Sequence, residues 1–134
     1  IDFQDMVIGP LSYDLVSLLK DCYVRWPDAV IEQGMRLGFD TLQEAGLLGN
    51  LDYAAFRRAA DLTGMQRHLK AAGLFTRLYH RDGKAGYLKD IPRTLGYVVD
   101  VCRSHGAAYP VLARFGQWLE QVVLPGLART GVTP

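Results

Sequence analysis

Apolar residues recur every three or four positions along most of the chain, which is the pattern of helices that bury one face. The clearest stripe begins after Pro10 and continues to Trp26, where Pro27 ends it. Its apolar members are Leu11, Leu15, Leu18, Leu19 and Cys22. The pattern predicts a first, mostly buried helix between the two prolines.

Two further helices are predicted in the middle of the chain. The second ends near Gly46, a residue suited to the left-handed end of a helix. Asp52 can cap the start of the third, whose apolar pattern continues to about Arg81. Gly64 and Gly73 interrupt this pattern, so that one kinked helix or two stacked helices would both satisfy it.

The last third of the chain predicts two more helices. Asp90 would cap the fourth, which His105 and the following glycine would end. The fifth runs from about Pro110 to Val123, and we expect the chain to fray from Pro125 onward. The predicted fold class is therefore mainly α, with about five helices and a short remnant of strand at the N-terminus.

Composition narrows the class of protein. The chain has 134 residues, enough for one domain with a hydrophobic core, and its 49% hydrophobic and 22% charged residues are ordinary globular usage. A formal charge of +1 provides no field that would gather nucleic acid or an anionic membrane. No apolar stretch approaches membrane-spanning length, and the first residues show no basic region followed by an apolar signal segment. We expect neither a nucleic-acid nor a membrane partner.

The two cysteines indicate a reducing compartment. Cys22 and Cys102 lie in apolar helical runs and form no Cys-x-x-Cys pattern. Two buried, reduced thiols are the simplest interpretation, and they suit a cytoplasmic protein.

Candidate metal ligands stand at the beginning of the chain. Ile1 favours a strand, and it is followed by Asp2, Phe3, Gln4 and Asp5. This is how a chain leaves a buried strand and presents carboxylate oxygens, the ligands that Mg²⁺ prefers beside substrate phosphates. Acidic residues near a chain end are more often solvated or cap a turn, so both interpretations remain open from the pattern alone.

A resemblance strengthens the metal interpretation. The segment Ile1–Asp5, with Gly9-Pro10 and Tyr13-Asp14-Leu15 behind it, resembles the metal-binding segment of the aminoglycoside phosphotransferase and kinase-like family. In that family the segment takes the place of the D-F-G motif of protein kinases. The resemblance implies a helical C-terminal lobe of a protein-kinase-like fold.

The resemblance extends to one branch of the family. Residues 15–26, 66–70 and 78–84 resemble the branch that phosphorylates the anomeric hydroxyl of N-acetylmuramate and N-acetylglucosamine in bacterial cell-wall recycling. It covers the whole chain, as the C-terminal part of a longer enzyme. Because the sequence does not begin with Met, we also expect it to be truncated.

The resemblance also implies a division of the chain and a set of partners. We expect a single domain over residues 1–134, with a metal-binding strand and turn in 1–10, a helical acceptor-site subdomain in 11–124 and a tail in 125–134. Asp2 would hold Mg²⁺ on bound ATP, while Asp5 would be either a second metal ligand or, as we favour, a hydrogen-bond acceptor that braces the turn. The catalytic base and the nucleotide-binding lobe would precede the chain, so we expect the chain alone to be inactive.

Candidate acceptor-binding residues follow the first helical stripe. Asp14, Asp21 and Arg25 fall on a second stripe, seven and then four residues apart. Asp14 suits a helix start, while Asp21 and Arg25 would by themselves form an exposed ion pair. The resemblance places this helix close to the acceptor cleft and so makes Asp21 and Arg25 candidate sugar ligands.

A basic cluster occupies the polar side of the third predicted helix. Its members are Arg67, His68, Lys70, Arg77, His80, Arg81 and Lys84. Such a cluster is usually a solvated face. A guanidinium can also bind a carboxylate bidentately, and N-acetylmuramate carries a lactyl carboxylate. Arg67, Arg77 and Arg81 are therefore candidates for binding a sugar substrate.

One apparent motif is rejected. His80-Arg81-Asp82 spells the H-R-D of the protein-kinase catalytic loop, in which an Asn follows five residues after the Asp. Tyr87 stands at that position here, and the triplet follows the metal-binding segment instead of preceding it. We interpret it as a helix end that turns on Gly83, and we assign no catalytic residue within this chain.

Two other functions remain open. One is a kinase of the same fold for an aminoglycoside, choline or homoserine. Cationic acceptors call for acidic or aromatic walls, so the basic cluster argues mildly against them. The other is a non-catalytic helical interaction module whose acidic start is incidental.

Overall fold

The structure is a computed structural model that describes residues 8–131, and no strand occurs in that range. The elements are α1 Tyr13–Leu19, α2 Asp28–Glu44, α3 Tyr53–Asp82, a 3₁₀ helix Ala85–Asp90, α4 Ile91–His105, α5 Pro110–Trp118, a π-helical turn Leu119–Val123 and α6 Leu124–Arg129. The last three follow one another without a loop and form one continuous helix.

The predicted mainly α fold with about five helices is confirmed. Within the described part of the chain, every helix is too short or too polar to span a bilayer.

The core consists of two hydrophobic clusters that both include α3 and α4. The first joins α1 and α2 to them through Val16, Leu19, Ile31, Met35, Ala60 and Tyr97. The second contains Cys22, Ala72, Phe75, Ile91, Leu95, Val98, Val99, Cys102 and Leu119. Both cysteines are buried free thiols, as predicted. The pair α3 and α4 is thus the scaffold on which the other elements pack.

Helix α3 is a single element of 30 residues. Its start is the predicted cap, because Asp52 Oδ1 accepts a hydrogen bond from the Ala55 amide at 2.7 Å. It ends at Gly83, whose φ of 67° closes the last turn. Gly64 does not break the helix; it lets α1 approach, since a Cβ there would lie 3.0 Å from Val16 Cγ1. Of the two predicted alternatives, the single helix is therefore correct.

The prediction that the first helix continues to Trp26 is wrong. Helix α1 ends at Leu19 because the next residues bond elsewhere. The Lys20 carbonyl lies 2.7 Å from Nε2 of His68. The Asp21 carboxylate accepts the Tyr23 amide at 2.6 Å, which turns the chain out of the helix. Residues 20–26 are a loop held by tertiary contacts.

The predicted side-chain cap at Asp90 is also absent. Asp90 has helical backbone angles because the 3₁₀ helix leads directly into α4. Its carboxylate instead pairs with Arg93 at 2.9 Å, and its carbonyl accepts the Thr94 hydroxyl at 2.7 Å. The position of the helix start was predicted correctly, but the contact that marks it was not.

The predicted stop at Pro125 is wrong as well, because α6 continues to Arg129. A proline inside a helix lacks the amide that the preceding turn needs. Here the π-helical turn Leu119–Val123 ends two residues before the proline, and the Leu124 amide bonds the Leu119 carbonyl five residues back. This shifted hydrogen-bond pattern lets the continuous helix pass through Pro125, which lacks an amide.

Gly116 gives a test of how closely α4 and α5 pack. A Cβ on Gly116 would lie 2.7 Å from Cys102 Cβ, so the two helices would have to separate. We expect Gly116→Ala to lower the free energy of unfolding by about 1–3 kcal/mol in urea denaturation. The control is Gly73→Ala on α3, where a Cβ meets nothing within 4 Å. That substitution should raise stability by about 0.5–1 kcal/mol, and equal effects at both sites would contradict the packing.

Candidate functional site

The predicted metal ligand Asp2 and its neighbour Asp5 lie outside the described residues. Within residues 8–131, no group of three or more His, Cys, Asp or Glu side chains is placed to hold a metal ion. The magnesium site at the N-terminus therefore stays a prediction. The site that can be described is a polar cleft farther along the chain.

This cleft has a volume of about 440 Å³ and lies between the end of α1, the start of α2 and the facing sides of α3 and α4. Four basic and four acidic residues line it, so their formal charges balance. Its lining consists of Lys20, Arg25, Asp28, Ile31, Glu32, Arg57, Asp61, Tyr97, Asp100, Val101, Arg103 and Ser104.

The floor of the cleft is organised by Asp61, which is only 6% exposed. Its Oδ1 lies 2.8 Å from Lys20 Nζ and 3.2 Å from Arg57 Nε, and its Oδ2 lies 3.1 Å from Nε2 of His105. Burial, the largest single effect, would raise the pKa of Asp61, but the charges and hydrogen bonds of Lys20, Arg57 and His105 together hold the pKa below its usual value. Asp61 is therefore a buried carboxylate that stays ionised.

A second carboxylate extends the network to α2. Glu32 accepts the Tyr53 hydroxyl at 2.7 Å and pairs with Arg57. These contacts lower the pKa of Glu32, and the tyrosine hydrogen bond is the largest cause. Arg57 thus bridges two carboxylates on different helices. Arg36, which is not part of the lining, pairs with Glu32 at 3.4 Å and lies over the Tyr53 ring at 3.7 Å.

Arg25 lies at the rim of the cleft. Its Nη2 is 2.7 Å from Asp100 Oδ2, and both side chains are more than 40% exposed. Its guanidinium carbon is 5.0 Å from the centroid of Tyr97. The ring is itself fixed, because His68 stacks on it at 4.7 Å and its hydroxyl donates to the Val24 carbonyl at 3.2 Å. The position of Arg25 therefore rests on a rigid aromatic ring and on an exposed ion pair.

The structure separates the other predicted acceptor-binding residues from this cleft. Asp21 is half-buried and bonds the backbone of its own loop, so the expected Asp21–Arg25 pair does not form. Arg67 Nη1 lies 3.8 Å from the sulfur of Cys22. Arg77 is exposed, and Arg81 pairs with the adjacent Asp82 at 2.6 and 2.7 Å. Arg25 is the one member of the predicted set that lines the cleft.

Sequence reasoning missed most of the charged lining. Arg57 and Asp61 are four residues apart, a spacing that could have marked them as a pair on one face. Lys20 and Asp100 stand in apolar runs, where a charge indicates either a buried partner or a rim position. Only the fold shows that the partner of Lys20 is 41 residues away.

The chain is similar to curated bacterial kinases over most of its length. It is 42% identical over 122 residues to the N-acetylmuramate/N-acetylglucosamine kinase of Pseudomonas putida, a match to 91% of this chain and 35% of that protein. The kinase of the same name in Neisseria meningitidis is 42% identical over 113 residues, which cover 84% of this chain and 34% of that protein. The kinase of the same name in Caulobacter vibrioides is 32% identical over 130 residues, which cover 92% of this chain and 31% of that protein.

These matches confirm the predicted resemblance to this branch of kinases. The chain spans about a third of the length of the curated relatives it matches. No protein-family model and no solved structure matches it.

Asp61→Asn tests the buried network. The substitution leaves Lys20, which is 7% exposed, without a charged partner, and we expect a loss of about 3–5 kcal/mol in the free energy of unfolding. Asp100→Asn breaks an exposed pair of the same cleft and should cost no more than about 1 kcal/mol. Urea denaturation of both variants at pH 7 measures the difference. Similar costs would mean that Asp61 does not carry the network.

His68 predicts a pH dependence of stability. Burial lowers the pKa of His68, so the folded state favours the neutral ring. The contribution of the neutral His68 ring to the free energy of unfolding is fully present above the unfolded-state pKa of about 6.5. It is lost as the pH falls below that value, by up to about 1.4 kcal/mol per pH unit. His68→Gln should flatten this slope between pH 7 and 5.5 in urea denaturation, whereas His80→Gln at an exposed position should not. A slope unchanged by His68→Gln would contradict the assignment.

Proposed function

We propose that the chain is the C-terminal helical part of an ATP-dependent small-molecule kinase. It matches about a third of the length of the curated N-acetylmuramate/N-acetylglucosamine kinases. The observation that carries the proposal is 42% identity across 91% of the chain. The parent enzyme transfers the γ-phosphoryl group of ATP to the anomeric hydroxyl of an N-acetylated amino sugar. It serves cell-wall recycling in the cytoplasm, where ATP is available.

The polar cleft is the proposed acceptor site. Its volume of about 440 Å³ is within the range of roughly 300–1,000 Å³ that is usual for small-molecule sites. Sugar hydroxyls both donate and accept hydrogen bonds, and the lining offers guanidinium donors, carboxylate acceptors and the hydroxyl of Ser104. The apolar side chains of Ile31 and Val101 can contact the carbon face of a sugar ring. The balanced charges support a polar acceptor that is not strongly cationic.

Phosphoryl transfer of this kind depends on positioning and on neutralising phosphate charge. When bound, Mg²⁺ would supply that neutralisation, and the resemblance assigns Asp2 as the residue of this chain that holds it. The helices of the chain hold the acceptor in a fixed orientation through the cleft. The aspartate that takes the hydroxyl proton belongs to a segment upstream of the chain, so the chain alone has no kinase activity.

The alternative functions have less support. The basic residues Arg67, Arg77 and Arg81 lie outside the cleft, so their charge gives no information about the charge of an acceptor bound there. A kinase for choline, homoserine or an aminoglycoside would share the fold, but the curated relatives are named for amino sugars. A non-catalytic helical module would not depend on Asp2.

Asp2→Asn in the full-length protein tests the proposal. A coupled ADP-release assay with ATP, Mg²⁺ and N-acetylglucosamine should show a fall in kcat on the order of a hundredfold or more, because a charge that neutralises the transferring phosphate is lost. The control is Asp40→Asn, an exposed carboxylate on α2, which should leave kcat unchanged. The 134-residue chain alone should release no ADP. Turnover by that chain, or an Asp2→Asn enzyme as active as the wild type, would refute the assignment.

A further inference from the structure

The cations of the cleft are of two kinds, buried and exposed, and the exposed ones are Arg25 and Arg103, of which Arg103 pairs with Glu120 outside the lining. Lys20 and Arg57 are held by Asp61 and Glu32, and the Lys20 pair is more than nine-tenths buried. Moving Lys20 away would take the nearest cation from the buried carboxylate of Asp61, which is strongly unfavourable, and Arg57 is already shared by Asp61 and Glu32. Arg25 and Asp100 form an exposed pair that contributes little by itself. Arg25 can therefore bind an added anion at small cost, whereas the floor cannot.

Arg25 is also positioned for that task. Its guanidinium lies over the Tyr97 ring, which His68 holds from a stacked position. This contact keeps the guanidinium in place even when its bond to Asp100 weakens. Among the described residues, Asp100 engages only Nη2. The other N–H groups of the guanidinium can donate to a second carboxylate, which would then compete with Asp100 for the same positive charge.

The two acceptors in the relatives' name differ in charge. N-acetylmuramate is N-acetylglucosamine with an added lactyl ether, which ends in a carboxylate. A site that binds both sugars must provide an internal partner for its cation when the sugar is neutral, and the same cation must bind the carboxylate when the sugar is acidic. The Arg25–Asp100 pair meets both requirements, because Asp100 balances the guanidinium in the absence of a substrate carboxylate.

We propose that Arg25 recognises the carboxylate of the acidic amino sugar and that Asp100 limits this recognition by competing for the same guanidinium. This inference rests on the proposed kinase function and on the cleft as its acceptor site. It makes Arg25 a specificity-determining residue, required for the acidic sugar and largely dispensable for the neutral one.

The test compares kcat/KM for the two sugars in the full-length kinase. Arg25→Gln should lower kcat/KM for N-acetylmuramate roughly ten- to a hundredfold, mainly through KM, since a charged hydrogen bond to the substrate is lost. The value for N-acetylglucosamine should change less than about threefold, within the weak contribution of an exposed pair. The matched control is Arg36→Gln, which also removes a guanidinium over a tyrosine beside a carboxylate, but outside the cleft. It should leave both sugars unaffected.

A second variant should shift specificity in the opposite direction. Asp100→Asn removes the competing carboxylate, so the ratio of kcat/KM for the acidic sugar to that for the neutral sugar should rise by roughly threefold or more. Circular dichroism and unfolding curves confirm that each variant is folded. A loss shared equally by both sugars in Arg25→Gln, or an unchanged ratio in both variants, would overturn the proposal while leaving the kinase function intact. A wild-type parent that phosphorylates neither sugar would instead refute the proposed function and this inference with it.

Discussion

The buried carboxylate of Asp61 is the contact on which the cleft depends. It draws together Lys20 from the end of α1, Arg57 from its own helix and His105 from the end of α4. A charge so far from water is tolerated only with close partners, so these elements cannot drift apart without exposing an uncompensated ion. The relative positions of α1, α3 and α4 therefore depend on the carboxylate of Asp61. The cleft is the space that this arrangement leaves open.

Because the floor is fixed, the loop over residues 20–26 has a defined course. His68 contacts the Lys20 carbonyl, Arg93 donates to the Tyr23 carbonyl, and Tyr97 donates to the Val24 carbonyl. The loop brings Arg25 to the rim, where its partner is exposed. A buried, tightly paired interior and an exposed edge are therefore built from the same short segment.

Much of the helical framework could be predicted from local patterns, and the site could not. The cap at Asp52 and the end at Gly83 follow from chemistry within a few residues, so the sequence reveals them. The end of α1 depends on His68, which is 48 residues away from the carbonyl it contacts, and no local pattern indicates it. The helix after Pro125 depends on a π-helical turn that periodicity does not predict. Among the acceptor-site candidates, Arg25 was found through resemblance, and its actual partner Asp100 only through the fold.

The shared use of α3 by both hydrophobic clusters has a consequence for how the chain unfolds. Ala60 belongs to one cluster and Ala72 and Phe75 to the other, on one uninterrupted helix. Fraying that reached the middle of this helix would solvate both clusters together. The amides of α1, α2 and α4 should then exchange with solvent deuterium as one cooperative block, and a partly melted intermediate should not accumulate.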